Sequence, residues 1–287
     1  MILVDLNQTM ISNLMMHLSY TKDDVVEEEM LRHMILNSLR SYRSKFYKEY
    51  GELVICCDAQ NYWRKGIFPH YKANRKKSRD SSGLDWNKLF EALNKIRDEI
   101  RDYLPYKVIR IDRCEADDII AAICHKHGKF LGGNNDKILI LSGDKDFAQL
   151  QKYSNVYQYA PVQKKMIAIN NPESFRKEHI MLGDRSDGVP NFISDDDTFV
   201  ADKRQKPIRR DKISDWSHME PEQFCSGEML RGYKRNQMLI DLDMIPKDLQ
   251  NQCISEFESA KCNDRSKIFN YFIQNRLSNL TEVISDF

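Results

Sequence analysis

Apolar positions fall along this chain in two rhythms, and their order predicts an architecture. Short unbroken apolar runs (Ile2-Leu3-Val4, Leu53–Cys57 and Ile138–Leu141) read as buried strands, and residues 107–111 read as a further strand. Between them apolar residues recur at helical spacing. Residues 25–47 carry Val26, Met30, Met34, Ile35, Leu39, Tyr42 and Phe46. Asp85 can cap a helix whose stripe is Leu89, Leu93, Ile96 and Ile100, with Pro105 as its stop. Residues 115–127 predict a helix ended by Gly128, and Gly132 to Asn135 a turn. A short helix through Phe147 and Leu150 follows, then a hairpin of residues 156–159 and 166–169 around Pro161. This alternation predicts an α/β fold: a mainly parallel central sheet flanked by helices on both faces.

Near residue 183 the pattern changes. Strand-like runs stop, and residues 194–215 mix Asp195, Asp196 and Asp197 with Lys203, Arg204, Lys206, Arg209, Arg210 and Lys212. Residues 221–287 read as helical, with Ile268, Tyr271, Phe272 and Leu280 in stripes. The expected organisation is an α/β domain over 1–182 and a smaller, mostly helical domain over 183–287.

Composition alters this picture little. Among 287 residues, 44 Lys+Arg balance 43 Asp+Glu, so overall charge names no partner. The seven cysteines form no CxxC pair, which predicts reduced thiols in a cytosolic compartment and no structural zinc. No basic leader or long apolar span is visible, so neither secretion nor membrane insertion is expected. His125 and His127 read as surface residues at a helix end, and Asp112 as a loop or capping residue. Neither a Walker A loop nor GxGxxG occurs, which removes support for an NTPase or dinucleotide enzyme.

Charge position is the informative feature. Asp5, Asp58, and the pair Asp144 and Asp146 each follow an apolar run. In an open parallel sheet such strand ends open onto one crevice. Glu115, Asp117 and Asp118, then Asp184 and Asp187, can join them there. So many carboxylates repel one another unless divalent cations neutralise them, which points to metal-dependent chemistry on a phosphate. Each group also has a plain structural reading. Asp144 can cap a helix, the 115–118 acids complement a helix dipole, and residues 183–190 form a polar turn. Helical spacing puts Glu115 and Asp118 on one face and leaves open whether Asp117 or Asp118 meets metal.

Residues 62–79 hold Arg64, Lys65, Lys72, Arg75, Lys76, Lys77 and Arg79, with no acid between Asp58 and Asp80. Tyr62, Trp63, Phe68, His70 and Tyr71 are interleaved. Cations that hold phosphates and exposed rings that stack on bases would make this a nucleic-acid surface. The competing reading is a solvated basic face.

Taken together, these residues resemble the 5′-nuclease family: flap endonucleases and the 5′-exonuclease domains of bacterial polymerases, most like the phage RNases H of the T-even type. The shared elements run in family order: Val4-Asp5, Cys57-Asp58, Tyr62-Trp63-Arg64, Tyr71-Lys72-Ala73-Asn74-Arg75, Glu115 to Asp118, Gly143 to Asp146, Gly183 to Asp187, and Leu277 to Thr281. The resemblance implies two Mg²⁺ ions, with Mn²⁺ able to substitute. Asp5, Asp58, Glu115, Asp117, Asp144 and Asp146 would surround the first or bridge to the second, and Asp118, Asp184 and Asp187 would serve the second. Residues 61–82 would form a helical arch, with Tyr71, Lys72 and Arg75 in its motif and Lys72 at the scissile phosphate. It implies 5′-to-3′ cleavage of RNA–DNA hybrids and of DNA with 5′ ends or flaps, by a monomer that meets single-strand-binding and other replication proteins in the cytoplasm of a phage host. One departure stands out. Residues 189–197 replace the family's glycine-rich helix-turn-helix, so duplex contact passes loosely to Lys203, Arg204, Arg209 and Arg210, and no bound potassium is expected. Two other classes compete. One is a non-catalytic binder of branched DNA. The other is a haloacid dehalogenase-type phosphatase opening at Asp5, against which Asn7 stands where that chemistry needs an acid.

Overall fold

The computed structural model describes residues 1–20, 27–130 and 136–287. Strands β1 (Ile2–Asp5), β2 (Leu53–Cys57), β3 (Lys107–Arg110), β4 (Ile138–Leu141), β5 (Val156–Ala160) and β6 (Lys165–Ile167) form one sheet in the order β3-β2-β1-β4-β5-β6. The first five are parallel; the edge strand β6 runs antiparallel to β5. The helices among and after these strands are α1 (Leu6–Tyr20), α2 (Glu28–Tyr50), α3 (Trp63–Ile67), α4 (Asn74–Asp80), α5 (Trp86–Tyr103), α6 (Ala116–His127) and α7 (Pro172–Leu182). Beyond them come α8 (Arg210–Trp216), α9 (Pro221–Phe224), α10 (Gly227–Ile240), α11 (Lys247–Ser259), α12 (Ser266–Gln274) and α13 (Ser278–Thr281).

Strand side chains alternate between two covered faces. Ile2, Val4, Ile55, Cys57, Leu139 and Leu141 meet α1, α2 and the Leu89-Leu93-Ile96-Ile100 stripe of α5. Leu3, Val54, Cys56, Ile138 and Ile140 meet Ile119, Ile120 and Ile123 of α6. Burial on both sides explains why these strands read as continuous apolar runs. The change of pattern expected near residue 183 coincides with the end of α7. The helices beyond it share the same cores: Leu249 and Cys253 of α11 pack in the second, and Tyr271, Phe272 and Phe287 in the first. A third cluster joins Phe68 and Tyr71 to Met181, Phe192, Tyr233 and Leu239.

The α/β expectation holds in outline, and the strands fall where the apolar runs placed them. Asp85 caps α5, its side chain accepting from the Lys88 N–H at 3.2 Å. Helix α1 is an addition to the elements that the apolar pattern predicts. Asp5 in fact caps that helix, accepting the Gln8 N–H at 3.0 Å, and Leu6, Met10 and Leu14 supply its buried stripe. The helix expected over 25–47 is α2; Val26, like the turn at Gly132 to Asn135, lies outside the described residues. No helix forms within residues 184–209, so the helix-turn-helix-like element is replaced there by successive turns. Among the described residues no helix is long and apolar enough to cross a membrane. The cysteines are free thiols.

Candidate active site

Strands β1 and β4 are neighbours where the strand order reverses, the position at which open α/β sheets bind ligands beyond their carboxyl ends. Asp5 ends β1, Asp58 follows β2, and Asp144 follows β4. Helix α6, starting just after β3, presents Asp117, and Glu115 is the residue just before it. These acids, with Lys72 and Arg75, line one cleft of about 540 Å³. The carboxylates are held in place. Asp5 Oδ2 accepts from the Ser142 hydroxyl at 3.2 Å, Asp58 Oδ1 from the Ala116 N–H at 2.7 Å, and Asp144 Oδ1 from the Asp146 N–H at 3.0 Å.

Crowding shows in their acidity. Burial, then repulsion from Asp5, pushes Asp58 up to about 7. Burial and then Asp146 push Asp144 up to about 7. Burial also raises Asp5, and burial with Asp144 and Asp5 raises Asp117 well above the ordinary carboxyl range. Glu115 is the exception: against its burial, Lys72 and Arg64 hold it below the usual value.

A second group adjoins the first. One donor atom each from Asp146, His179 and Asp184 lie within 4.8 Å of one another. His179 Nε2 is 2.6 Å from Asp146 Oδ1 and 3.7 Å from Asp184 Oδ2. Gly183 makes the turn into Asp184 with φ +70°, and a Cβ there would lie 2.4 Å from the Val189 carbonyl oxygen. Burial would raise Asp184, but the Ser186 hydroxyl, Lys145 at 3.2 Å and His179 hold it low. Asp187 faces Arg75 at 2.5 Å and Lys72 at 3.7 Å, and burial raises it despite both cations. His179 was missed by the sequence reading. It is a lone histidine on a helix, with no motif around it.

Several expected site residues do other work. Asp118 is buried, accepts the Glu115 N–H at 2.9 Å and the Trp63 indole N–H at 3.1 Å, and pairs with Arg64. It caps α6 and faces away from the cleft, whereas Asp117 faces into it. Arg64 is buried too. It donates to Glu115 at 2.9 Å and to the Leu239 carbonyl at 2.8 Å, so it is a structural tie and not a phosphate contact. Trp63, Phe68 and Tyr71 are only 3–4% exposed, so these rings are core and not stacking platforms. The Tyr71 hydroxyl lies 3.0 Å from both Glu115 and Asp187. Lys72 pairs with Glu115 beside it, at φ +57°. His125 is no surface residue either: its ring meets the Tyr153 hydroxyl at 3.0 Å and the Leu242 carbonyl at 3.1 Å.

The other cations lie outward. Lys65 is exposed near the Tyr62 ring, and Arg79 lines the cleft. Lys76 and Lys77 of α4 share a groove of about 1180 Å³ with Arg185, Lys203 and Arg204. Acids partner several of them: Lys77 meets Asp202, Lys203 meets Asp197, and Arg209 meets Asp211. Arg210 opens α8, exposed.

A switch-point cleft floored by acids and rimmed by cations defines a class, and the comparisons agree. Residues 3–179 match the family described as 5′-3′ exonuclease, N-terminal resolvase-like domain, and residues 172–287 match T4 RNase H, C terminal. The chain belongs to the 5′-3′ exonuclease family. It is 34% identical over 296 residues to the ribonuclease H of Enterobacteria phage T4, across 99% of this chain and 95% of that protein. It is 30% identical over 155 residues to a 5′-3′ exonuclease of Buchnera aphidicola, across 51% of this chain and 50% of that one. Among solved structures, a bacteriophage T5 flap endonuclease bound to DNA and metal ions superposes with TM-score 0.58 at 16% identity, covering 90% of this chain and 97% of that one. The zinc-bound T5 5′-exonuclease gives 0.58 at 16%, covering 90% and 98%. At that identity the likeness speaks for the fold. The expected family and the expected kind of enzyme, a metal-dependent 5′-nuclease, both hold, and the phosphatase alternative falls.

Proposed function

We propose that this protein is a Mg²⁺-dependent 5′-to-3′ exonuclease and flap endonuclease with RNase H activity. It takes RNA in RNA–DNA hybrids and DNA with 5′ ends or flaps. In this reading it removes RNA primers and adjacent DNA from lagging-strand fragments, as a monomer beside single-strand-binding and other replication proteins in the host cytoplasm. One observation carries the reading: Asp5, Asp58, Glu115, Asp117 and Asp144 meet in a single cleft with Lys72 and Arg75.

The donors fit two hard cations. They are carboxylate oxygens with one neighbouring imidazole, and burial and mutual repulsion raise the pKa of Asp58 and of Asp144 to about 7 while no cation neutralises them. Asp5, Asp58, Glu115, Asp117 and Asp144 would hold one ion, and Asp146, Asp184 and Asp187 the other. Bound there, the ions supply a water of lowered pKa and charge stabilisation for both oxygens of an in-line displacement. The chain's own side chains do the rest. Lys72 and Arg75 take phosphate oxygens and offset the charge that develops on them. Ser142, the Ala116 N–H and His179 fix the carboxylates in orientation. The basic groove between α4 and residues 199–208 follows the nucleic-acid backbone. The T4 relative is named a ribonuclease H and the T5 neighbour holds DNA and metal ions, which supports the same substrates here.

The test is product mapping on end-labelled flap DNA and RNA–DNA hybrid, with Mg²⁺ and with chelator. Cleavage from the 5′ side that needs Mg²⁺ supports the reading. Tight binding without cleavage would make the protein a branched-DNA binder.

A further inference from the structure

Acids and cations do not line the cleft alone. Apolar side chains share it: Ile11 and Met15 from α1, Trp86 and Phe90 from α5. Each pair is four residues apart and so shares a helix face. Ile11, Trp86 and Phe90 lean on the sheet core without being buried in it, and Met15 is 42% exposed. Trp86 and Phe90 have ring centroids 5.6 Å apart at 37°, so neither face is covered by a parallel stack. The Trp86 indole N–H donates to the Ser82 hydroxyl at 2.7 Å. That bond satisfies the ring's one polar atom and fixes its plane. Arg79 sits over the Phe90 ring, its guanidinium carbon 5.3 Å from the centroid.

We propose that this aromatic wall is a nucleobase subsite, taking the unpaired base whose phosphate lies over the acid floor. The inference rests on the nuclease reading and adds which further part of the substrate the cleft grips. Three observations select the occupant. The wall is continuous with groups suited to a phosphate, so its ligand carries phosphate and an apolar planar part together. A cleft of about 540 Å³ falls within the range of about 300–1,000 Å³ typical of small-ligand sites, so it takes a nucleotide unit and not a duplex. Stacking on a ring face flanked by a guanidinium is indifferent to base identity, as an enzyme acting along a strand requires. Rings at the margin of a core are common. What sets these apart is their place in the same cleft as the carboxylates.

The experiment pairs a protein change with a substrate change. Trp86→Leu keeps apolar volume against the core and removes the π face. The substrate is 5′-labelled flap DNA carrying one abasic (tetrahydrofuran) residue at successive positions around the cut. Single-turnover cleavage with Mg²⁺ should show one position where the missing base slows wild type about tenfold. Trp86→Leu should lose a similar factor on intact DNA and nothing further on that abasic substrate, while Trp86→Phe keeps most of the rate. Multiplying effects, or no sensitive position, would overturn the subsite. A second arm replaces Mg²⁺ with Ca²⁺ and follows tryptophan emission as a single-stranded oligonucleotide binds. Quenching should occur in wild type and vanish in Trp86→Leu, with Trp63 and Trp216 still present. Quenching that survives the substitution overturns the proposal. Failure of wild type to cut any flap strikes the nuclease reading, and the emission arm then judges the subsite alone.

Discussion

His179 Nε2 lies 2.6 Å from Asp146 Oδ1 and reaches Asp184 at 3.7 Å, so one imidazole braces two carboxylates from different segments. Groups behind metal ligands set ligand orientation, and their loss typically costs about 10–100-fold in metal affinity or activity. His179→Ala should therefore cut the rate by that order at limiting Mg²⁺ and recover much of it at saturating Mg²⁺. A Mg²⁺ titration of single-turnover rates checks this. A loss of equal size at every Mg²⁺ concentration would mean His179 acts in another way.

Neighbouring acids on α6 should behave oppositely. Asp117 faces the cleft among repelling carboxylates, whereas Asp118 caps the helix and pairs with Arg64. Asp117→Asn removes one of the repelling charges, so it should abolish cleavage and leave the metal-free melting temperature unchanged or higher. Asp118→Ala leaves the Arg64 guanidinium buried with one partner fewer. That change should destabilise by about 3–5 kcal/mol, read by urea denaturation.

Arg64 separates a structural cation from a phosphate contact. A protein loses about one unit of salt slope when one phosphate contact is removed. Arg64→Ala should destabilise by about 3–5 kcal/mol and leave the salt dependence of DNA affinity unchanged, because its partners are Glu115, Asp118 and the Leu239 carbonyl. Lys76→Ala, on the exposed groove, should do the reverse: no change in stability and a shallower slope. Affinity measured across a salt series distinguishes them.

The acids at Asp5, Asp58 and Asp144 were legible in the sequence because a parallel sheet places every strand's carboxyl end at one edge, whatever the loops do. The aromatic residues at 63–71 were legible only as unusual. Whether Phe68 and Tyr71 stay exposed depends on Met181, Phe192 and Tyr233, over a hundred positions away, which bury them. Arg64 was misplaced for the same reason: its acidic partners lie beyond β3. The spacing rule that grouped Glu115 with Asp118 was sound for a continuous helix. It failed because Glu115 is the residue before α6, with extended backbone, and so is free to face the cleft while Asp118 turns back to cap. His179 had no local signal, since its meaning comes only from Asp146 and Asp184 folding against it.

Stability should depend on pH and metal together, in a direction the acid cluster fixes. Asp58 and Asp144 are pushed up to about 7 in the folded, metal-free protein, against about 3.9 for an ordinary aspartate. Between roughly pH 4 and pH 7 the folded state therefore keeps protons that the unfolded chain has released. Stability falls with rising pH wherever the native state binds more protons, so these groups should weaken the metal-free protein across that window and add no further loss above it. Cations bind the deprotonated carboxylates, so their affinity rises across the same window. The gain in melting temperature on adding saturating Mg²⁺ should be small near about pH 5.5 and larger near about pH 8. Paired Asp58→Asn and Asp144→Asn substitutions should flatten both trends. Thermal melts over a pH series, with and without Mg²⁺, decide the matter; a gain that shrinks as pH rises would mean that these acids do not hold the ion.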